Sequence, residues 1–214
     1  ESKLKTLSKE QHEELEYFMN DDKSINLKEL FYEPPVDKTE EAVRITSSKL
    51  LNTIVPEFPY IIGGSADLFA ANKTLIKEAN AFSCDDYLGK NIYYGVREHA
   101  MGAISNGLAL HGFRPYASTF LSFSDYLKPS IRMACMMNLP VIYIFTHDSI
   151  SVGEDGPTHQ PVEQLLSLRT MPNLDVFRPA DTNEVIGTYK TILDKKEGPA
   201  AICLSRNTLP ILET

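Results

Sequence analysis

The sequence predicts an α/β domain: a mostly parallel sheet with helices on both faces. Two observations carry the prediction. Short apolar runs of strand length alternate with amphipathic stretches of helical length, which is the pattern of β-α-β units. The most apolar run, Pro140–Phe145, lies among them and reads as a buried strand. The length of 214 residues fits one large domain, or one domain with an appendage.

Taken in order, Asp37 with Glu40 three residues later resembles a capping box, and a helix is expected to run from there to about Val55. Pro59–Gly64 reads as a short buried strand ending in a glycine turn, and Asn91–Gly95 as a second strand. A helix rich in small residues (Ala100, Gly102, Ala103, Gly107, Ala109) follows from Glu98 to about His111. Small side chains there would let another helix approach closely, as at a subunit interface. Arg114–Thr119 reads as strand and Phe123–Asn138 as helix, with Pro129 tolerable only near a turn or as a kink. After Pro140–Phe145 comes a long polar loop, Thr146–His159. Helix over Pro161–Arg169, strand over Leu174–Phe177, helix over Thr182–Asp194 and strand over Ala200–Leu204 complete the series.

The first 36 residues differ. Residues 1–41 hold twelve acids and six bases, so they carry −6 of the net −8. Leu15, Phe18 and Met19 are spaced for a short amphipathic helix; Asp21-Asp22 and Pro34-Pro35 interrupt the pattern. Residues 1–36 read as a connecting arm or a solvated tail, and residues 37–214 as the domain. The chain begins with Glu1 rather than Met, as a processed product or a piece of a longer chain does.

Composition excludes several classes. No apolar run approaches the roughly 20 residues of a membrane span, and the N-terminus lacks a signal peptide's apolar segment. The net charge of −8 argues against a general nucleic-acid binder. Cys84, Cys135 and Cys203 form neither a disulfide framework nor a C-x-x-C metal site, so a reducing, cytoplasmic setting is expected.

Ligands of open parallel sheets bind beyond the carboxyl ends of the strands. Three loops fall there: Gly63–Leu68, Gly95–His99 and Thr146–His159. The third holds His147, Asp148, Glu154, Asp155 and His159, with Gly153 and Gly156 for unusual turns. Metal ligation, recognition of a polyhydroxylated substrate and a solvated loop are all open readings of it. Glu98 reads by itself as a first-turn helix acid, and Phe120, Phe123 and Tyr126 by spacing as core packing. No Walker A, G-x-G-x-x-G or G-x-S-x-G motif occurs.

Read together, Gly63-Gly-Ser-Ala-Asp-Leu68, Tyr94-Gly-Val-Arg-Glu-His-Ala-Met-Gly-Ala103, Thr146-His-Asp-Ser-Ile150, Val152-Gly-Glu-Asp-Gly-Pro-Thr-His-Gln-Pro161, Phe177-Arg-Pro-Ala-Asp181 and Leu204-Ser-Arg206 closely resemble the transketolase family. The resemblance runs in order from Asp37 to Pro210. It implies the central, pyrimidine-binding domain of a three-domain, thiamine diphosphate-dependent enzyme that transfers a two-carbon ketol unit from a ketose phosphate to an aldose phosphate. It also implies a homodimer, with the cofactor lying between this domain and the diphosphate-binding domain of another subunit. A Mg or Ca ion would be held by that other domain, which this sequence lacks, and the acidic arm would be the linker from it. No metal ligand is expected here, and the chain alone is expected to be inactive.

Carried over by motif, Glu98 would hydrogen-bond the ring nitrogen of the aminopyrimidine, a catalytic as well as a cofactor-binding role. Phe120, Phe123 and Tyr126 would form the pocket around that ring, and Asp67 would lie near the thiazolium charge. His147, Asp155 and His159 would contact the donor's hydroxyls, the two histidines also helping proton transfer. Arg44 and Arg206 would hold the sugar phosphate, the planar guanidinium fork suiting an oxyanion. One departure stands out. Where the family usually has a phosphate-binding serine, this chain has Ala71, so that contact is weakened, moved to Asn72 or Lys73, or directed to another acceptor. A non-catalytic, dimerising or regulatory homologue is the alternative, and a metal-dependent hydrolase using residues 147–159 is a third.

Overall fold

A computed structural model describes residues 6–19 and 39–212. The first described helix is α1 (Lys9–Met19), which agrees with the amphipathic spacing; residues 1–5 and 20–38, which include most of the acidic arm and also Asp37, lie outside the described residues.

Six strands form one parallel sheet: β2 (Ile61–Ser65), β3 (Asn91–Tyr93), β4 (Arg114–Phe120), β5 (Ile142–Thr146), β6 (Asp175–Phe177) and β7 (Ala200–Leu204), in the order β3-β2-β4-β5-β7-β6. Side chains along a strand point alternately to opposite faces. In β5, Ile142 and Ile144 pack into one core while Tyr143 and Phe145 pack into the other. In β7, Ala200, Ile202 and Leu204 share the first core, and Ala201 and Cys203 the second. Both faces are therefore dry, which explains why these strands read as unbroken apolar runs rather than as alternating ones. Helices α2 (Val43–Glu57) and α7 (Thr182–Asp194) cover the first face through Leu50, Ile54, Val185 and Ile192. Helices α4 (Glu98–Leu110) and α5 (Lys128–Met136) cover the second through Met101, Ile131 and Ala134. The remaining α-helices among the described residues are α3 (Phe69–Asn72) and α6 (Gln164–Arg169).

Four local expectations are corrected. Glu40 begins no helix. It opens strand β1 (Glu40–Ala42), which pairs antiparallel with β8 (Thr208–Pro210), and α2 starts only at Val43. Buried Glu41 explains the preference: its carboxylate accepts from Lys49 Nζ at 2.7 Å and Thr46 Oγ1 at 2.8 Å. The D-x-x-E arrangement forms instead at α7, where Asp181 accepts the Glu184 N–H at 2.9 Å and Glu184 Oε2 accepts the Ala180 N–H at 2.7 Å. Gly63 and Gly64 are not a turn but part of β2. A Cβ at Gly63 would lie 2.1 Å from the Tyr116 carbonyl oxygen, and one at Gly64 1.8 Å from that of Ile92, so close contact with both neighbouring strands excludes any side chain. Residues 121–126 form a 3₁₀ turn, separate from α5. Pro129 sits in the first turn of α5, where a missing N–H has no intrahelical partner to lose. Finally, Pro161–Glu163 precede α6 rather than belonging to it.

From β2 the chain steps outward to β3, then returns to β4 on the other side of β2. The strand order reverses there, and the connections leaving β2 and β4 diverge. This opens a crevice at their carboxyl ends.

Candidate functional site

The loops that leave β2, β3, β4, β5 and β7 at their carboxyl ends carry the candidate residues. His147 directly follows β5 and adopts a left-handed backbone (φ +57°), as does Asp67 after β2 (φ +61°). Side chains other than glycine rarely take this conformation without local strain of about 1–3 kcal/mol, and such residues concentrate at sites of function.

The His147 ring is buried and lies on Phe120, centroids 3.9 Å apart. Phe120 stacks with Phe123 at 5.7 Å, and His159 meets Phe123 at 5.0 Å and Phe120 at 5.9 Å, both edge-on. Tyr126 stands 6.3 Å from Phe123 but is 65% exposed. Burial, then the positive charges of Arg44 and Arg206, push the His147 pKa down to about 4; Asp155 opposes that shift and His159 adds to it. His147 is thus neutral at pH 7, and Arg44, Arg206, Asp155 and His159 all act on it electrostatically.

The two arginines feel each other's charge. Burial and then the charge of Arg206 push the Arg44 guanidinium below its ordinary value. Arg44 Nη1 donates to the Ala71 carbonyl at 2.7 Å, while its Nε is buried without a partner among the described residues. Arg206 Nη1 donates to the Val152 carbonyl at 2.9 Å, tying the long loop to the end of β7. Two guanidiniums that repel each other electrostatically, neither in an ion pair among the described residues and one with an orphaned N–H, make a site suited to an oxyanion. Asp148 stands apart from this group, paired with Arg178 Nε at 2.7 Å.

Glu98 is the first residue of α4 and is buried, yet no described residue hydrogen-bonds its carboxylate. The turn at Gly95 (φ +67°), braced by Arg97 Nη1 donating to the Tyr94 carbonyl at 2.9 Å, sets where α4 begins. Beneath it, burial pushes the Tyr94 hydroxyl up to about 12. Asp67 is exposed. Glu98 and Asp67 thus follow β3 and β2 at the sheet edge that carries the histidine group, with no hydrogen bond or ion pair to it among the described residues. Among the described residues, no three His, Cys, Asp or Glu side chains come together as a metal site.

Asn72 is not a free phosphate ligand. It is 1% exposed and both of its amide atoms are engaged, Nδ2 with Ser65 Oγ at 3.2 Å and Oδ1 with Thr146 Oγ1 at 2.7 Å. Lys73, exposed with φ +60°, keeps its ammonium available. The buried polar chain through Ser65, Asn72 and Thr146 is the part of the site that sequence reasoning missed. Its members are far apart in sequence and match no motif spacing.

Residues 40–211 match the family model described as "Transketolase, pyrimidine binding domain". The transketolase of Halalkalibacterium halodurans is 58% identical over 173 residues, which is 80% of this chain and 26% of that protein. Among solved structures, the transketolase of Campylobacter jejuni superposes with a TM-score of 0.87 at 41% identity, covering 100% of this chain and 32% of that one. A Pichia stipitis transketolase in complex with sedoheptulose-7-phosphate gives 0.91 at 41% identity, over 95% of this chain and 31% of that one. A split-gene transketolase described as an inactive β4 tetramer gives 0.62 at 28% identity, over 81% of this chain and 53% of that one. The chain spans about a quarter of the length of the curated relatives it matches. It belongs to the transketolase pyrimidine-binding domain family.

Proposed function

We propose that this chain supplies the pyrimidine-binding part of a thiamine diphosphate-dependent transketolase, a cytoplasmic enzyme of pentose phosphate metabolism. The proposed reaction moves a two-carbon ketol unit from a ketose phosphate to an aldose phosphate. The observation that carries the reading is the grouping of neutral His147 with His159, Asp155 and two arginines beside the Phe120–Phe123 stack, at the strand ends where the sheet order reverses. Sugar phosphates need this combination: hydroxyl-binding imidazoles and carboxylates on one side and guanidiniums for the phosphate on the other.

The residues fit the cofactor's pyrimidine half. An aromatic wall offers stacking, and the buried Glu98 carboxylate, left without a described partner, is suited to hydrogen-bond a ring nitrogen. When bound, thiamine diphosphate supplies the carbanion stabilisation that splitting a carbon–carbon bond requires. This chain's residues bind and orient. Glu98 would share a proton with the pyrimidine nitrogen, Phe120 and Phe123 would wall the ring with Tyr126 at its exposed rim, and Asp67 would supply negative charge toward the thiazolium. His147 and His159 exchange protons with substrate hydroxyls, Asp155 accepts a hydroxyl hydrogen bond, and Arg44 and Arg206 hold the phosphate, with exposed Lys73 near enough in sequence to replace the contact that Ala71 lacks.

The groups that would bind the diphosphate and its Mg or Ca ion are assigned to a diphosphate-binding domain contributed by another subunit of a dimer. The test is turnover of xylulose 5-phosphate with ribose 5-phosphate, in the presence of thiamine diphosphate and Mg²⁺. The expected result is no turnover by the 214-residue chain alone and turnover once a diphosphate-binding polypeptide is added. Turnover by the chain alone would contradict the need for a second polypeptide. A complex that forms and stays inactive would favour the dimerising or regulatory reading instead.

A further inference from the structure

We propose that Asn72, acting through Thr146, holds His147 in the tautomer that carries its proton on Nδ1 and a lone pair on Nε2. This makes Asn72 and Thr146 positioning residues rather than catalytic ones. The tautomer is read from hydrogen bonds alone, and only its use on a substrate rests on the function proposed above.

The relevant groups form one continuous chain. His147 Nδ1 lies 2.8 Å from Thr146 Oγ1, Thr146 Oγ1 lies 2.7 Å from Asn72 Oδ1, and Asn72 Nδ2 lies 3.2 Å from Ser65 Oγ. Ser65 Oγ lies 3.1 Å from the Ser118 carbonyl and accepts the Leu68 N–H at 3.1 Å. Ser65, Asn72, Ser118, Thr146 and His147 are all buried, so water does not compete for these bonds.

The direction of donation is set at the far end. A carbonyl oxygen only accepts, so the single Ser65 hydroxyl proton goes to Ser118 and Ser65 Oγ must accept from the Asn72 amide. The Asn72 carbonyl oxygen then faces Thr146 and takes its one proton. With that proton committed, Thr146 Oγ1 can bond the ring only by accepting, and Nδ1 must carry the hydrogen. Flipping the amide would reverse the chain, but it would turn the Ser65 hydroxyl away from Ser118 and lose a bond. It would also put an amide N–H across the 2.7 Å contact. That length is typical of O–H···O and short for N–H···O, whereas the 3.2 Å contact to Ser65 suits an amide donor.

The remaining ring nitrogen, Nε2, has no hydrogen-bond partner among the described residues. Because His147 is neutral at pH 7, its tautomer decides what that nitrogen can do. As an acceptor it takes a hydrogen bond or proton from a ligand hydroxyl, and in the other tautomer it could only donate.

The test is nitrogen NMR of the chain with ¹⁵N-labelled histidine at pH 7, His147 being assigned by the signal lost in His147→Asn. The two nitrogens of a neutral imidazole resonate far apart, so the spectrum reports which one is protonated. The expected result is protonated Nδ1 and unprotonated Nε2. Thr146→Val is expected to lose the single tautomer, giving averaged signals, and Thr146→Ser to restore it, a rescue that a merely structural role would not produce. If Thr146→Val does not fold, Asn72→Ala tests the same chain one link back and is also expected to give averaged signals. Protonated Nε2 in the wild type, or an unchanged single tautomer in Thr146→Val or Asn72→Ala, would overturn the proposal. None of these spectra depends on turnover, so failure of the proposed function would be read separately.

Discussion

His147 on one side of the sheet edge, and Glu98 and Asp67 on the other, follow the carboxyl ends of strands in the same parallel sheet, yet their surroundings are opposite. The His147 side is braced from within the chain. A buried relay of hydrogen bonds reaches its ring, Phe120 lies on it, and Arg206 clips the following loop at Val152. The Glu98 side has carboxylates that no described residue hydrogen-bonds. The first half is preorganised by the fold, while the second has polar capacity left for a ligand. The contrast teaches that stability and function are coupled on one side of the site and separable on the other.

Substitutions can break or sharpen that contrast. The largest effect is expected from Glu98→Ala: turnover in the assembled enzyme should fall by roughly 10²–10⁴-fold, the usual range for a group that manages a proton. Stability should change by no more than about 1 kcal/mol in urea unfolding, since no described residue hydrogen-bonds the carboxylate and the favourable charge at the start of α4 is what is lost. Arg206→Ala should act on both quantities. Losing a charged donor to an anion costs about 1.5–3 kcal/mol of binding, which raises the KM for a sugar phosphate by about 10- to 100-fold, and the 147–159 loop should become more sensitive to proteolysis.

Acid should affect mainly the braced side. The His147 pKa in the fold, about 4, lies below the ordinary imidazole value, so between them the unfolded chain binds more protons than the native one. The contribution is fully present above about pH 6.5 and is lost as pH falls toward 4. NMR titration of His147 should therefore show a midpoint well below that of a free histidine, and removing Arg44 or Arg206 should raise it. The smallest effect is expected at Asp67. Glycine tolerates φ +61° without a Cβ penalty, so Asp67→Gly should raise thermal stability by up to about 1 kcal/mol, while cofactor affinity in the assembled enzyme falls.

Much of this was legible in the sequence, because the central strands report their own environment. Strands buried on both faces must be apolar throughout, so β5 and β7 stood out. The pairing of β1 with β8 was not legible, since it joins residues near 40 and 210 that no local pattern connects. The Asp37/Glu40 spacing pointed to a helix because a capping box and a charged strand edge look alike without tertiary partners. The same reason hid Asn72. Its role depends on Ser65 and Thr146, which reach it through the packing of β2, α3 and β5 rather than through spacing. Aromatic residues at 120, 123 and 126 read by spacing as core, whereas Tyr126 is 65% exposed and Phe120 and Phe123 turn toward the histidines.

The central claim is that Glu98 has a carboxylate held for a ligand proton while His147 is organised by the fold. Hydrogen–deuterium exchange at the reactive thiazolium carbon of thiamine diphosphate, measured in the assembled enzyme, tests it most directly. The account predicts fast exchange with the wild-type chain and, with Glu98→Ala, exchange no faster than that of free cofactor while the fold is retained. Unchanged exchange in Glu98→Ala would contradict it.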